Sequence, residues 1–418
     1  MGCLLKLSHL VTPDDSSITS LQRRFADKGR TRVGGLRTAL ALLIAIILAT
    51  PAAHAAPGIS PRTGAGGFAP GEILAIDSDP GFIPHAQKFG FVPLDHVRLA
   101  ALELDVVRLR IPIAANTRDA LRLFQGVFPS VTADFNSLIW PAAEPMERDT
   151  GAAGSWPVIR STCGAGMRLG MIDTPVHVSH VAFRGRQVVS KSFLTGSRQP
   201  ASSTHGTAIA ALLVGNPDSG GFGGLLPQAT LLTGNVFERH GRGQSYGKLF
   251  PLLKALDWMA AERVSVVNLS FETGENTVLS AALEKAAGRG LMLTAPAGNR
   301  DDWDGPTYPA AHPGVLTTTA VDANLRPYRY ANRGNYIDFA APGVGLWTAV
   351  PGGGAFQSGT SFAVPFLSAV TALRLANGLQ PDVEQVRQAL ARSARDLGTP
   401  GKDDVFGWGL IGFAPDCS

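Results

Sequence analysis

The chain has 418 residues, 45% of them hydrophobic and 17% charged, which allows a large buried core and leaves room for two domains plus a targeting segment. Its formal charge of +4 is local: residues 1–37 carry seven Lys/Arg and three Asp, and the rest of the chain holds thirty basic and thirty acidic residues. Without a long-range positive field, that balanced body is a poor match for phosphates or an anionic surface, which argues against a nucleic-acid partner.

The basic stretch runs into an uncharged apolar segment, residues 39–49, and then Thr50-Pro51-Ala52-Ala53-His54-Ala55. Small residues at 53 and 55 suit signal peptidase, so residues 1–55 are expected to be a signal peptide with a long basic N-region, cut after Ala55. The apolar run falls well short of the ~20 residues that span a bilayer as a helix. The mature form is therefore expected to have no stable membrane anchor and to reach the periplasm or the extracellular space. Because the next methionine after Met1 is Met146, a non-methionine start near Val33 is the alternative to so long an N-region.

Residues 56–145 are expected to hold a linker and a small domain. Gly and Pro crowd 57–70. Strand-like 72–77 is followed by a helical patch at 84–89 and two β-rich runs, 97–104 and 106–112, split near Asp105. Asn116 can cap a helix in which Leu121, Leu123, Phe124 and Val127 recur at helical spacing, and 130–135 is again extended. The order β-α-β-β-α-β predicts a ferredoxin-like α+β domain.

The domain expected over 146–418 changes character at about Gly164. Strands predicted at 168–172, 230–237, 264–270, 291–295 and 315–321 alternate with helices at 245–262 and 277–287, the latter ended by Gly288 and Gly290. This is the pattern of an α/β fold with a mostly parallel sheet covered on both faces. Two further helices follow: 361–376 is almost wholly apolar and hence central, and 381–392 opens on a proline. Cys3 precedes the predicted cut, leaving Cys163 and Cys417, an even count for an oxidising compartment. A bond between them would close a loop of about 250 residues; two unpaired thiols are the other reading.

In Gly359-Thr360-Ser361-Phe362-Ala363-Val364-Pro365 a serine sits between a glycine turn and an apolar helix, where unpaired N–H groups favour developing negative charge. Alone this could be a helix cap. A hydroxyl becomes a nucleophile only beside a base that is itself oriented by a third group. His205-Gly206-Thr207 begins an apolar helix after Ser202, Ser203 and Thr204, and Asp173 ends the strand 168–172, at the carboxyl edge where sites form in parallel sheets.

Together these positions resemble the subtilase family of serine peptidases, with aspartate, histidine and serine in that chain order. The resemblance covers about 165–412 and includes Val267-Asn268-Leu269-Ser270, Ala297-Gly298-Asn299, Tyr308-Pro309-Ala310, Ala340-Ala341-Pro342-Gly343 and Phe406-Gly407-Trp408-Gly409. It implies a subtilisin-like three-layer fold preceded by a propeptide that acts as intramolecular inhibitor. It also implies a catalytic triad of Asp173, His205 and Ser361, Asn299 in the oxyanion hole, substrate binding along Ser270, Phe271, Glu272 and Thr273, and a cis Tyr308–Pro309 bond. The implied activity is a self-processing endopeptidase acting on proteins or peptides, a monomer whose chemistry needs no cofactor and falls away as His205 protonates.

Pro175 stands where the family usually has glycine, and Phe271-Glu272-Thr273 replaces a run of leucine and two glycines, so the groove is expected to be narrower or charged. Glu272 is expected to favour basic side chains near the scissile bond. Subtilases often bind calcium, but Asp301, Asp302 and Asp304, like His177 and His180 for a transition metal, lack the remaining ligands of a known spacing. The rival readings are a subtilase-fold pseudoenzyme or peptide-binding protein, and an esterase using the same triad.

Overall fold

A computed structural model describes residues 67–77, 80–142, 163–196, 198–241, 244–300 and 305–412. The expected signal peptide and its cut after Ala55, residues 143–162, Asp301, Asp302, Asp304 and Cys417 lie outside these residues.

The N-terminal subdomain runs β1 (Phe68–Asp77), α1 (Ile83–Lys88), β2 (Val92–Leu99), β3 (Leu104–Arg110), α2 (Thr117–Val127) and β4 (Thr132–Pro141). Its antiparallel order β2-β3-β1-β4 is the ferredoxin-like arrangement expected. Asn116 Oδ1 accepts from the Arg118 N–H (2.9 Å) to cap α2. The hairpin turn falls at 100–103 and not at Asp105, which lies within β3 and is bonded to His96 and Arg98. Successive residues of a strand face opposite sides, and β1 is apolar on both because both are covered. Ile73 and Ala75 join Phe91, Val107 and Phe124 in the subdomain's own core. Leu74 and Ile76 pack with Phe250 and Leu253 of the following domain.

That domain contains β5 (Arg168–Asp173), β6 (Gln187–Ser192), α3 (Thr204–Val214), β7 (Thr230–Asn235), β8 (Phe237–His240), β9 (Gln244–Lys248), α4 (Leu249–Ala261), β10 (Val266–Leu269), β11 (Phe271–Glu272) and α5 (Thr277–Gly288). It continues through β12 (Met292–Pro296), β13 (Val315–Val321), β14 (Phe339–Pro342), the hairpin β15 (Leu346–Val350) and β16 (Gly353–Gln357), α6 (Thr360–Ala376) and α7 (Val383–Ala391). Seven strands form a parallel sheet in the order β14-β13-β12-β10-β5-β7-β6. Val266 and Met292 pack on the side of α3 and α6, while Val267 and Leu293 pack on the side of α4 and α5. With both faces covered, β10, β12 and β13 read as continuous apolar or small-polar runs.

Three sequence expectations shift. Residues 245–248, expected in a helix, lie in β9; a Cβ on Gly247 would lie 2.7 Å from Ile139 Cγ1, so the closeness of β4 demands glycine there, and the helical periodicity starts only at α4. Gly290 has a φ of 81° just after α5, whereas Gly288 is still helical. Helix α7 begins after Asp382, whose Oδ1 accepts from the Gln385 N–H (2.8 Å), so Pro381 precedes the cap.

Strand β4 ties the two parts together. Residues up to 137 pair with β1, Leu138 and Ile139 pair with Lys248 and Gly247 of β9, and Trp140 and Pro141 pair with Glu272 and Phe271 of β11. Its side chains also reach the N-termini of both neighbouring helices. Asn136 Oδ1 accepts from Phe250 N–H of α4 (3.2 Å) and Asp134 Oδ2 from Thr277 N–H of α5 (2.8 Å), satisfying donors that have no partner within a helix.

Candidate active site

The site lies at the carboxyl ends of β5 and β12 and the N-termini of α3 and α6. Asp173, buried at the end of β5, accepts through Oδ1 from His205 Nδ1–H (2.7 Å) and from the Thr174 N–H (2.6 Å). Thr174 Oγ1 in turn accepts from Gly206 N–H (2.8 Å). The two motifs are pressed so close that a Cβ on Gly206 would meet the Thr174 carbonyl oxygen at 2.3 Å, which explains why glycine must follow the histidine. The Pro175 carbonyl oxygen crowds the same point, at 2.7 Å. Ser203 makes no side-chain cap; the turn into α3 is held instead by Thr207 N–H donating to the Ser203 carbonyl.

Ser361 is the second residue of α6, after Gly359 at a φ of 144°. Its Oγ and His205 Nε2 are both buried, and neither has a hydrogen-bond partner among the described residues. Asn299 follows β12. Its Oδ1 accepts from Thr360 N–H (2.9 Å) and Thr360 Oγ1–H (3.0 Å), which fixes the amide so that Nδ2 points outward, and Nδ2 donates to the carbonyl of Ala142. The backbone before it is equally fixed: the Ala297 carbonyl accepts from Thr307 Oγ1, Tyr336 Oη and Asn332 Nδ2 at 2.9, 2.9 and 3.1 Å. Burial pushes the Tyr336 hydroxyl above its ordinary pKa, so it stays a donor. Asn332 and Tyr336 lie outside every motif of the sequence, whereas Thr360 sits inside the serine motif.

Ala142 continues β4 into this site. Its N–H donates to the Ser270 carbonyl (3.3 Å), Phe271 and Glu272 pair with Pro141 and Trp140, and Thr273 Oγ1 donates to the Leu138 carbonyl (2.8 Å). All four expected substrate-binding residues thus line an extended segment of the same chain. The Phe271 side chain turns into the core. Glu272 does not present a free charge: its Oε1 accepts from Arg300 Nε and Nη2 at 3.0 and 2.8 Å, so the free carboxylate on which the expected attraction for basic side chains rested is already neutralised. Tyr308–Pro309 is cis, as expected.

His180 accepts through Nδ1 from Ala182 N–H and donates through Nε2 to the Gly353 carbonyl, leaving no ring nitrogen for a metal. Among the described residues no group of three or more His, Cys, Asp or Glu is placed to hold one, and no helix is long and apolar enough to cross a membrane. Cys163 is buried and disulfide-bonded; the two other cysteines, Cys3 and Cys417, lie outside the described residues.

A parallel sheet between two helical layers, joined to a ferredoxin-like subdomain, is a subtilisin-like α/β architecture. The model of the subtilase family, peptidase S8, matches residues 164–409, more than half of the chain, and the chain belongs to that family. The minor extracellular protease Epr of Bacillus subtilis is 31% identical over 209 residues, which are 50% of this chain and 32% of Epr. Subtilisin E of Bacillus subtilis is 30% identical over 258 residues, 59% of this chain and 65% of its own length. The chain therefore spans about a third of Epr and just under two thirds of subtilisin E. Fervidolysin from Fervidobacterium pennivorans shares the fold at 19% identity, with a TM-score of 0.68 over 84% of this chain and 61% of that one.

Proposed function

We propose that this chain is a serine endopeptidase made as an exported precursor, with residues 1–55 as signal peptide, 56–142 as linker and inhibitory propeptide, and cleavage of its own Ala142–Ala143 bond. The observation that carries this reading is the Ala142 carbonyl accepting from Asn299 Nδ2 while residues 138–142 lie along β9 and β11 as a bound peptide would. Ser361 Oγ attacks the Ala142 carbonyl carbon as His205 Nε2 takes its proton, and Asp173 holds the imidazole tautomer and stabilises the imidazolium. Asn299 Nδ2 and the Ser361 N–H bind the tetrahedral oxyanion. His205 then returns the proton to the Ala143 nitrogen as the C–N bond breaks, leaving an ester on Ser361. Water, deprotonated by His205, hydrolyses that ester and restores the serine.

The test is the intact mass and N-terminal sequence of wild type beside Ser361→Ala, both exported from a host lacking extracellular proteases. Wild type should begin at Ala143 and Ser361→Ala should retain the N-terminal subdomain. Retention in both would favour a subtilase-fold binding protein, and a wild-type terminus elsewhere would move the scissile bond.

A further inference from the structure

Resting on that reading, we propose that the pocket for the side chain on the acyl side of the scissile bond is closed by the Glu272–Arg300 ion pair, making the enzyme specific for cleavage after alanine-sized residues. Two segments flank the residue whose carbonyl Asn299 holds: Ser270 and β11, which pair with the bound strand, and residues 297–299. A large side chain would have to enter between them.

Glu272 bridges that space. It pairs directly with Trp140, and the Ala142 N–H bond to the Ser270 carbonyl continues the ladder. Residues two apart on a strand share a face, so the Glu272 side chain rises on the face to which the Ala142 methyl points. From there its Oε2 lies 3.1 Å from where a Cβ on Gly298 would stand, and its Oε1 is gripped by two nitrogens of Arg300. Arg300 is anchored at its own backbone, its N–H donating to Asn332 Oδ1 (2.7 Å).

The Glu272 and Arg300 side chains are only 11% and 21% exposed. An aromatic side chain entering here would have to part a largely desolvated ion pair, and a basic one would have to displace Arg300 from the carboxylate it already neutralises. A methyl group needs neither. The alanine at 142, itself 3% exposed, is the residue such a closed pocket admits.

The test uses the self-processed enzyme, freed of its propeptide, with tetrapeptide p-nitroanilides that differ only in the last residue: Ala, Phe or Lys. Wild type should favour Ala over both by about 100-fold in kcat/KM. The double variant Glu272→Gly/Arg300→Ala should raise the Phe-to-Ala ratio at least about tenfold, and Glu272→Gln, which keeps the shape but weakens the grip on Arg300, should raise it less. The wild-type profile stands even if a variant fails to fold. Labelling of Ser361 by a fluorophosphonate reads the catalytic centre apart from this pocket. A wild type that labels yet prefers Phe or Lys overturns the pocket assignment alone, and one that neither labels nor cleaves overturns the peptidase reading and this inference together.

Discussion

At the scale of single residues, the oxyanion donor gives the sharpest expectation. Thr360 holds Asn299 Oδ1 from both its N–H and its hydroxyl, so Nδ2 is aimed before any substrate arrives. Loss of the corresponding donor in subtilisin costs about 10²–10³ in kcat. Asn299→Ala should lose a comparable factor in kcat with KM little changed, measured on a p-nitroanilide peptide. Thr360→Val, which removes only the hydroxyl contact, should lose less. The catalytic motifs were legible in sequence because close approach forces their neighbours: Gly206 is obligatory against the Thr174 carbonyl, so histidine and glycine travel together. The Glu272–Arg300 pair was not legible. It joins residues 28 positions apart across two segments that meet only in the folded site, and from sequence alone Glu272 read as an unpaired charge.

At the scale of elements, β4 does two tasks that its sequence does not announce. Composition marked 130–135 as extended, but the strand runs on to Pro141 because β9 and β11 are there to receive it. Residues 245–248 differ from expectation for a like reason: the helical periodicity of α4 extends plausibly backwards, and pairing with β8 as well as with Leu138 and Ile139 selects a strand. The N-terminal N–H groups of α5 and α4, donating to Asp134 and Asn136, link the subdomain to the helices it covers. Asp134→Ala removes an anionic cap at a helix N-terminus and should destabilise the uncleaved Ser361→Ala protein by about 0.5–2 kcal/mol. Asn136 is fully buried and also donates from Nδ2 to Glu72 Oε2 (2.8 Å). Asn136→Ala strands both partners and should cost about 1–3 kcal/mol. Urea unfolding of the variants checks both values; an unchanged midpoint for Asp134→Ala would mean water replaces the cap.

At the scale of the whole molecule, acid sensitivity and the hold on the N-terminal subdomain follow from what is buried. His312, in the turn before β13, accepts through Nδ1 from Gly314 N–H (3.1 Å), and burial holds its imidazole below the ordinary value against an opposing pull from Glu284. The unfolded imidazole takes up a proton first, so its contribution is complete above the unfolded value of about 6.5 and is lost as pH falls through the lower folded value. In a Ser361→Ala background, His312→Asn should therefore show a smaller fall in thermal midpoint between about pH 7.5 and about pH 5 than the parent.

Breaking the Ala142–Ala143 bond removes one covalent link and leaves intact the pairing of β4 with β9 and β11, both helix caps, and the apolar layer in which Leu74, Leu102 and Val106 pack with Phe250, Leu253 and Leu279. Asp257 also keeps its hold on the Ala101 and Leu102 N–H groups (2.8 and 3.0 Å). That apolar layer stays buried after the cut, each Å² removed from water contributing about 25 cal/mol, so the cleaved N-terminal fragment should stay bound and block the groove with its own carboxylate at Ala142. Size-exclusion chromatography straight after self-cleavage should show the two fragments co-eluting, with protein hydrolysis silent until the smaller one is degraded. Separate elution together with immediate activity would show that the subdomain guides folding but does not inhibit.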